Sequence, residues 1–478
     1  MPKGKGSMDN ATLAKTRTGI GGDPISVAVV GHTNAGKTSL MRTLLRDLKF
    51  GVISNHPGAT RHVEAGQILV NETPVITLFD TPGLEDSIEL LEALEKLRPE
   101  QDNGLGRLRA FIQDLDRYPQ FSQEAKVIRQ LLQDELIFYV VDVREPVLGK
   151  YRDELKVLSY AARPVIPVLN FIAAPRSNLA QWREQLAALN LHAQVEFDTV
   201  AFNFEDEKRL YQKMQALMAA RYDDLQKLID ERQRQWDAQI DSAAQRIAGL
   251  WTDVASFRRM TANEAAEIQS AATQMQQQVR KAESDCVSDL LQIFRFADED
   301  VTIADLPVRD GEWELDLFDP DNMKRMGVEA GGGAAAGAAV GVGVDLMAGG
   351  LTLGAAAALG ALAGVVLQTG RRYREDLTAA IRKQRKLCVD ESTLKVLWLR
   401  QQYLFEALQK RGHASQQPMA LADGGSPELP GDWSRWLRKA RSNPEWSSLR
   451  PGCDVDDQER VAFIKTIGSN LPGVLVKS

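Results

Sequence analysis

The spacing of apolar residues along the chain changes near residue 217. Up to that point, short apolar runs of strand length alternate with stretches of helical periodicity. Such alternation is typical of an α/β fold, a doubly wound and mainly parallel sheet with helices on both faces. The predicted strands lie at 25–30, 63–70, 73–79, 136–142, 164–169 and 193–200. We therefore predict an α/β domain over residues 25–217.

Helical periodicity prevails beyond residue 217. Between Arg176 and Leu306 there is no proline and a single glycine, Gly249. Apolar residues step by threes and fours, which predicts a helix with an apolar seam that packs within the chain or against a second copy in a homodimer. The seam comprises Leu225, Ile229, Trp236, Ile240, Ala243, Ile247, Leu250, Val254 and Phe257. We predict a mainly α-helical domain over 218–412.

Three further segments complete the organisation. The stretch near 85–133 is polar and helical, and we predict that it is a helical insertion in the α/β domain. Residues 413–478 are predicted to be a linker and a small C-terminal helical cap. The first residues, 1–24, lack an apolar core, so we expect a disordered tail and no secretory signal.

Glycine and alanine dominate residues 330–368, for which we predict a helical hairpin. Glycines recur every four residues, the spacing of the glycine zippers that let transmembrane helices approach closely. Residues 346–367 carry no charge and number 22, enough to cross a bilayer. Two alternatives remain open: a membrane hairpin with both ends cytoplasmic, or a close-packed soluble helical pair. A long charged helix is predicted to follow over Arg371–Gln409.

Residues Gly31 to Thr38, with the sequence GHTNAGKT, match the phosphate-binding loop G-x-x-x-x-G-K-[ST] between a predicted strand and a predicted helix. Glycines let backbone N–H groups wrap a phosphate at a helix N-terminus. Lys37 is expected to reach the outer phosphates, and the Thr38 hydroxyl to bind Mg²⁺. The predicted nucleotide-binding residues here are Gly31, His32, Thr33, Asn34, Ala35, Gly36, Lys37, Thr38 and Ser39.

A second motif, Asp80-Thr81-Pro82-Gly83, ends the predicted strand 73–79. Asp80 is a candidate ligand for Mg²⁺, and the Gly83 N–H is a candidate donor to a γ-phosphate. Thr60, in a loop at about 50–62, is predicted to close over the Mg²⁺ as part of a first switch. The alternative for Thr60 is an ordinary polar loop residue.

These motifs, in this order, carry a family resemblance. With VVGHTNAGKTSL, DTPGLED, VVDVREPVLGKYRDEL and VLNFIAAP, the first domain resembles Era-like or TrmE-like P-loop GTPases of the translation-factor class. The whole chain also resembles a bacterial GTPase family with a C-terminal helical domain of unknown function. The resemblance implies Mg²⁺-dependent binding of GTP and GDP, hydrolysis of GTP, and catalytic roles for Lys37, Asn34, Thr60 and Gly83.

The chain departs from the family pattern at the base-reading motif, which is normally Asn-Lys-x-Asp. Asn170 is kept, but Phe171 and Ala173 replace the lysine and the aspartate. The missing aspartate predicts weak discrimination of guanine, so ATP remains an alternative to GTP.

A second departure lies after Gly83, where Leu84 replaces the glutamine that orients water in Ras-type enzymes. In potassium-activated relatives, an asparagine at the position of Asn34 helps to hold a monovalent cation. Activation by K⁺ is therefore a hypothesis, and its alternative is that Asn34 only stabilises the loop.

The composition limits the partners. The formal net charge is −7, which argues against a large nucleic-acid surface, and we expect no nucleic-acid partner. Three scattered cysteines form no disulfide or metal pattern, as expected of a cytoplasmic protein. If the hairpin inserts, we expect the protein to be peripheral or integral at the inner membrane.

The leading functional prediction is a GTP-hydrolysing switch coupled to a helical, membrane-associating effector domain. One alternative is an Era-like ribosome-assembly GTPase, which would need an RNA-binding module. Another is a slow nucleotide sensor that acts as a soluble scaffold. No substrate for the helical domain follows from the sequence.

Overall fold

The computed structural model divides the chain into two compact units, one up to Trp236 and one from Asp237 onwards. The predicted boundary was at 217/218, nineteen residues earlier. The residues that the structure describes are 23–47, 50, 63–99, 101–172, 174, 176–199, 204–294, 308–309, 312–313, 315–319, 326, 328, 344–347, 384–409 and 429–471.

The first unit is built on a six-stranded sheet with the strand order β2-β3-β1-β4-β5-β6. The β2–β3 pair is antiparallel, and the other neighbours are parallel. The strands are β1 Ile25–Val30, β2 Glu64–Val70, β3 Thr73–Asp80, β4 Leu136–Asp142, β5 Val165–Asn170 and β6 Val195–Glu196. The prediction of a doubly wound, mainly parallel sheet is confirmed, although β6 is shorter than predicted.

Helices cover both faces of this sheet. Alternate residues of β1 enter two cores: Val27 and Val29 belong to one, and Ala28 and Val30 to the other. Burial on both faces explains why β1 is apolar throughout. The helices are α1 Lys37–Leu45, α2 Ser87–Lys96, α3 Gly104–Gln113, α4 Ser122–Gln133, α5 Gly149–Tyr160, α6 Leu179–Ala188 and α7 Phe204–Leu217. Three of them, α2 to α4, occupy the stretch that we predicted to be a helical insertion.

The chain leaves the first unit through a 35-residue helix, α8, Tyr222–Ser256. The predicted apolar seam lies on it from Leu225 to Val254, and its residues there are buried within one copy of the chain except Trp236, which is half-buried. The seam is interrupted at Arg232, which is also buried. The guanidinium of Arg232 pairs with Glu207 at 3.4 Å and donates to the Leu44 carbonyl at 2.9 Å. These partners explain a charged residue on the apolar side of the helix.

The second unit is helical with small sheets. Its helices are α9 Ala265–Ile293, α10 Glu391–Gln409, α11 Trp433–Ser442 and α12 Gln458–Gly468. Its strands are β7 Arg258–Ala262, β8 Val308–Arg309, β9 Glu312–Trp313, β10 Val344–Met347 and β11 Gln384–Val389, of which β10, β11 and β7 form one sheet in that order. The prediction of an α/β domain followed by a mainly helical region is confirmed.

Two local predictions in this unit are wrong. The helix predicted over Arg371–Gln409 begins only at Glu391, because residues 384–389 form β11, with Leu387, Cys388 and Val389 buried in succession. Asp390 stops the strand and starts the helix, since its carboxylate accepts from the Thr393 N–H at 2.7 Å.

The second error concerns four residues within the helical hairpin predicted over 330–368. Residues Val344–Met347 form β10, which pairs antiparallel with β11. The rest of the hairpin, 330–343 and 348–368, lies outside the described residues. Among the helices that the structure describes, none is long and apolar enough to cross a membrane.

The C-terminal helices pack onto α8 within the second unit. Trp251 of α8 contacts the rings of Trp433 and Trp436 at centroid distances of 5.1 and 6.5 Å. Asp253 of α8 accepts from Arg460 of α12 at 2.9 Å in a buried ion pair. These contacts hold α11 and α12 against α8.

Candidate functional site

The loop between β1 and α1 has the backbone conformation of a phosphate cradle. Gly31 and Gly36 adopt positive φ values, 154° and 94°, and so does Asn34, at 64°. A Cβ at Gly31 would collide with the Val140 carbonyl, and one at Gly36 would collide with the Asn170 amide. Both glycines are therefore required by the close approach of neighbouring strands as well as by conformation.

Lys37 lies at the first turn of α1 and folds back over this loop. Its Nζ donates to the carbonyls of Gly31 and His32, both at 3.0 Å. Burial lowers the pKa of the Lys37 ammonium, and nearby carboxylates, of which Asp80 contributes most, partly oppose this shift. The ammonium is thus held inside the cradle, where the N-terminus of α1 also favours an anion.

Thr38 and Asp80 meet where α1 begins and β3 ends. The Thr38 hydroxyl donates to Asp80 Oδ2 at 2.6 Å. The other oxygen, Asp80 Oδ1, is buried without a hydrogen-bond partner, and burial raises the pKa of this carboxyl. A hydroxyl and a carboxylate are the oxygen ligands that Mg²⁺ takes beside nucleotide phosphates. The residues present therefore fit Mg²⁺.

The segment after Asp80 packs directly on the phosphate loop. A Cβ at Gly83 would lie 2.5 Å from Thr33 Oγ1 and 3.0 Å from the Thr33 amide nitrogen, so a side chain here would force the phosphate loop to shift. Thr33 Oγ1 donates to Glu85 Oε1 at 2.7 Å, which ties the loop to the residues that follow Gly83. Leu84 is buried in the core and does not face the loop. The carboxylate nearest the cradle on this segment is therefore Glu85.

Asn170, at the end of β5, joins three parts of the site. Its Nδ2 donates to the Ala35 carbonyl of the phosphate loop at 2.9 Å. Its Oδ1 accepts from the Phe171 N–H at 2.9 Å and from Thr199, through N–H at 2.9 Å and the hydroxyl at 3.1 Å. The side chain is fully buried, and both its amide nitrogen and its oxygen have protein partners, so its role here is to fix the loop.

Phe171 stands where the family has lysine, and it forms a stacked pair. Its backbone has a φ of 62°, and the Arg144 guanidinium lies 3.8 Å from the centre of its ring. Arg144 is oriented by the Asp142 carboxylate at the end of β4, with contacts of 2.7 and 2.9 Å. The ring tip lies near Gly36, since a Cβ there would be 3.3 Å from Phe171 Cζ. An aromatic–guanidinium platform thus borders the cradle.

A buried polar chain that sequence reasoning missed lies beneath the loop. His32 Nδ1 is 3.0 Å from Glu154 Oε1, and the Tyr139 hydroxyl donates to Glu154 Oε2 at 2.7 Å. Lys150 Nζ lies 2.8 Å from His32 Nε2. An ammonium can only donate, so Nε2 accepts and the Nδ1–H donates to Glu154. Glu154 is completely buried, and its position on the apolar side of α5 was the signal in the sequence.

The structure brings most of the predicted site residues together. Lys37, Thr38, Asp80, Gly83 and Asn170 surround one cradle at the carboxyl ends of β1, β3 and β5. Ser39 lies in the first turn of α1. Thr60 and Ala173 lie outside the described residues. The roles assigned to all of these side chains stay predictions.

Two family models match this chain, each over a different range of residues. The family model described as a domain of unknown function, DUF3482, matches residues 183–469. The chain belongs to this DUF3482 family. A second family model, described as 50S ribosome-binding GTPase, matches residues 26–171 and covers the whole cradle. This DUF3482 protein thus carries a P-loop GTPase domain, and the predicted resemblance is confirmed.

Curated relatives match the DUF3482 protein over short stretches. The tRNA modification GTPase MnmE of Mycoplasmoides gallisepticum is 30% identical over 136 residues, which is 28% of this chain and 30% of the relative. GTPase Der of Buchnera aphidicola is 36% identical over 72 residues, 15% of each chain. The chain therefore spans less than a third of the length of these relatives.

Two solved structures resemble part of the DUF3482 protein. One is Era in complex with MgGDPNP and a fragment of 16S ribosomal RNA, at 22% identity and a TM-score of 0.30, over 40% of this chain and 56% of Era. The other is the G domain of the T. maritima iron transporter FeoB, at 20% identity and a TM-score of 0.26, over 40% of this chain and 99% of that domain.

Proposed function

We propose that this chain binds GTP with Mg²⁺ in the cradle around Lys37, hydrolyses it, and changes shape as the nucleotide changes. The observation that carries the proposal is the joint placement of a buried ammonium and a Thr38–Asp80 pair beside a glycine-rich loop. A cation for the outer phosphates and oxygen ligands for Mg²⁺ are the two requirements of phosphoryl transfer at such a loop.

In the proposed reaction a water oxygen forms a bond to the γ-phosphorus, and the bond from that phosphorus to the β–γ bridging oxygen breaks. The products are GDP and inorganic phosphate. Lys37 and the loop amides stabilise the negative charge on the transferred group. Bound Mg²⁺, held by Thr38 and Asp80, would neutralise charge on the phosphate oxygens. Glu85 is the carboxylate placed to orient the water, because its bond to Thr33 holds it beside the loop.

The proposed switch uses the contact between the phosphate loop and the segment Asp80–Glu85. Gly83 and Glu85 both touch Thr33. Loss of the γ-phosphate would change this contact, and the segment leads directly into α2. The Ser87 hydroxyl of α2 donates at 3.0 Å to the carbonyl of Lys150, the residue whose ammonium group contacts His32. The conformational change would therefore reach the helices over 87–133 first.

The test of hydrolysis is release of inorganic phosphate from GTP by the full chain, compared with a Glu85→Gln variant. Loss of the carboxylate should lower kcat with little change in KM, because Glu85 acts on the water and Lys37 on the phosphates. Glu89→Gln, an exposed acid one turn further along, is the matched control. Wild-type turnover no greater than that of buffer would refute the proposed hydrolysis.

Potassium is proposed as an activator through Asn34. This side chain is exposed on the phosphate loop in a left-handed conformation that asparagine tolerates. Support comes from the residue type at this position and from Leu84, whose burial removes it from the water site. Turnover in KCl should exceed turnover in NaCl, and Asn34→Ala should abolish the difference. Equal rates in both salts would leave Asn34 with a structural role only.

Membrane association is the remaining part of the proposal, and it rests on the uncharged run 346–367. Its first two residues belong to β10, so the segment proposed to enter the bilayer is 348–367. Flotation with liposomes should carry the full chain, and Val365→Asp with Val366→Asp should prevent it. The same substitutions would leave flotation unchanged if the segment were instead a soluble helical pair.

A further inference from the structure

A cavity of about 440 Å³ opens in the second unit, away from the phosphate loop. It is bordered by β7, β11, α9 and the turn after Ser448. Four of the nine described residues that line it are cationic, and none of those nine is acidic: the cations are Arg258, Arg259, Lys386 and Arg450. The chain as a whole has a net charge of −7, so this cluster of cations does not follow from its overall composition.

The strand register places two of these cations on one face of the sheet. Cys388 pairs with Arg258, and Lys386 pairs with Met260. Residues directly opposite share a face, as do residues two apart, so Arg258 and Lys386 are diagonal neighbours on the same side. Diagonal neighbours lie about 7–8 Å apart. An anion placed between two cations at this spacing is attracted by both.

The other two cations are held in place by neighbouring groups. The Arg259 guanidinium donates to the side-chain amides of Gln278, at 3.3 Å, and Gln274, both of α9. These partners are neutral, so the bonds orient the guanidinium without cancelling its charge. Gln278 itself lines the cavity.

Arg450 follows a turn that is anchored to α8. The Ser447 hydroxyl donates to the Asp253 carbonyl at 2.8 Å, and the Ser448 hydroxyl to the Asp253 carboxylate at 2.6 Å. The Arg450 N–H then donates to the Ser447 carbonyl at 3.2 Å. The backbone is already fixed on both strands and at this turn. Little conformational entropy would therefore be lost when a ligand binds.

We propose that this cavity binds a phosphate-bearing anion, with the phosphate between Arg258, Lys386 and Arg450. Arginine forks match phosphate oxygens two at a time, and lysine supplies a point charge. Met260 and Leu449 give the cavity an apolar part, so the ligand carries an organic portion beside its phosphate. The volume is in the range of small-molecule sites, about 300–1,000 Å³. A soluble phosphomonoester and a phospholipid headgroup share this chemistry.

Binding assays with two probes distinguish these sources. The soluble probe is glycerol 3-phosphate, measured by calorimetry on the full chain. The lipid probe is a vesicle of phosphatidylcholine with one-fifth phosphatidic acid, measured by cosedimentation against pure phosphatidylcholine. Binding to the soluble probe identifies a free phosphomonoester, and binding to the acidic vesicles alone identifies a headgroup. Binding to neither would overturn the proposal.

Variants show whether binding occurs in this cavity. Arg258→Gln with Arg450→Gln should weaken binding of the active probe at least tenfold, while the exposed Arg438→Gln should not. Arg258→Lys with Arg450→Lys keeps the charge and should restore most of the affinity, which a general loss of folding would not. The phosphate loop is intact in all of these proteins, so any binding there is common to them. Equal affinity in the wild type and the double glutamine variant would overturn the assignment.

Discussion

The Thr38 hydroxyl donates a 2.6 Å hydrogen bond to Asp80 Oδ2, although 42 residues separate the two in sequence. The bond joins the start of α1 to the end of β3. Strand β3 pairs with β1, the strand that precedes α1, and Val29 lies opposite Asp80. The second carboxylate oxygen is buried and unpartnered. A divalent cation at this point would satisfy that oxygen and offset the cost of burying the charge.

Substitution of Asp80 by asparagine is predicted to remove the dependence of GTP turnover on Mg²⁺. We expect turnover to fall by roughly 100-fold, in the range seen when one electrostatic partner of a transition state is lost. The fold should be retained, because burial already disfavours the charged form of Asp80. The measurement is phosphate release over a MgCl₂ titration, with circular dichroism as the check on folding.

Asp86→Asn serves as the control for that experiment. Asp86 is an exposed acid on the same segment and should leave the Mg²⁺ titration unchanged. A wild-type Mg²⁺ response in Asp80→Asn would show that the cation binds elsewhere.

Selectivity for guanine is predicted to be weak and repairable. Phe171 and Ala173 replace the lysine and aspartate of the base-reading motif, and the amide of Asn170 already bonds to protein groups. ATP should therefore displace labelled GTP at a concentration within about tenfold of the concentration of unlabelled GTP that does so. Phe171→Lys with Ala173→Asp restores the lysine and a carboxylate acceptor for the guanine edge, and should raise the preference for GTP by about 1–3 kcal/mol, or roughly 5–150-fold.

Ala174→Asp adds the same charge one residue later and is the matched control for base selectivity. If the wild type already excluded ATP by several orders of magnitude, groups other than this motif would read the base. The Arg144–Phe171 platform would then be the first place to search.

Asp134 is predicted to make the first unit less stable as pH rises. This carboxyl is buried at the end of α4 and accepts from Gln130 Nε2 at 2.9 and 3.0 Å. Burial raises its pKa from 3.8 to about 7. Between these values the folded chain holds a proton that the unfolded chain releases, so the free energy of unfolding falls with increasing pH across that window.

Asp134→Asn should remove this dependence and stabilise the protein above pH 7. The shift corresponds to roughly 4 kcal/mol at about 1.4 kcal/mol per pKa unit, as an upper bound. The measurement is the urea midpoint at which β4 loses hydrogen-exchange protection, taken at pH 5 and pH 8. Asp114→Asn, an exposed acid at the end of α3, is the control. An equal pH response in the wild type and Asp134→Asn would show that Asp134 is ionised throughout.

The sequence was sufficient for the cradle because its chemistry is local. Gly31, Gly36, Lys37 and Thr38 lie within one loop, and apolar runs of strand length located the sheet around them. Asp80 could be added since it ends a neighbouring parallel strand, and parallel strands deliver their carboxyl ends to one edge.

The sequence was insufficient where contacts join distant residues of ordinary type. Glu154 meets His32 across 122 positions, and neither residue lies in a motif that predicts the pair. The Thr33–Glu85 bond depends on how closely Gly83 packs against the loop. Strand β11 was mistaken for helix because Arg385 and Lys386 are charged and the apolar run that follows is only three residues long, Leu387 to Val389.

Calorimetric titration of GTP and Mg²⁺ into the full chain, compared with Lys37→Ala, tests the central claim most directly. The wild type should bind, and the variant should lose about 10- to 150-fold in affinity, the value of one charge-assisted hydrogen bond of roughly 1.5–3 kcal/mol. Lys96→Ala, an exposed lysine on α2, should bind as the wild type does. No heat and no retained nucleotide with the wild type, or equal affinity in Lys37→Ala, would contradict the account.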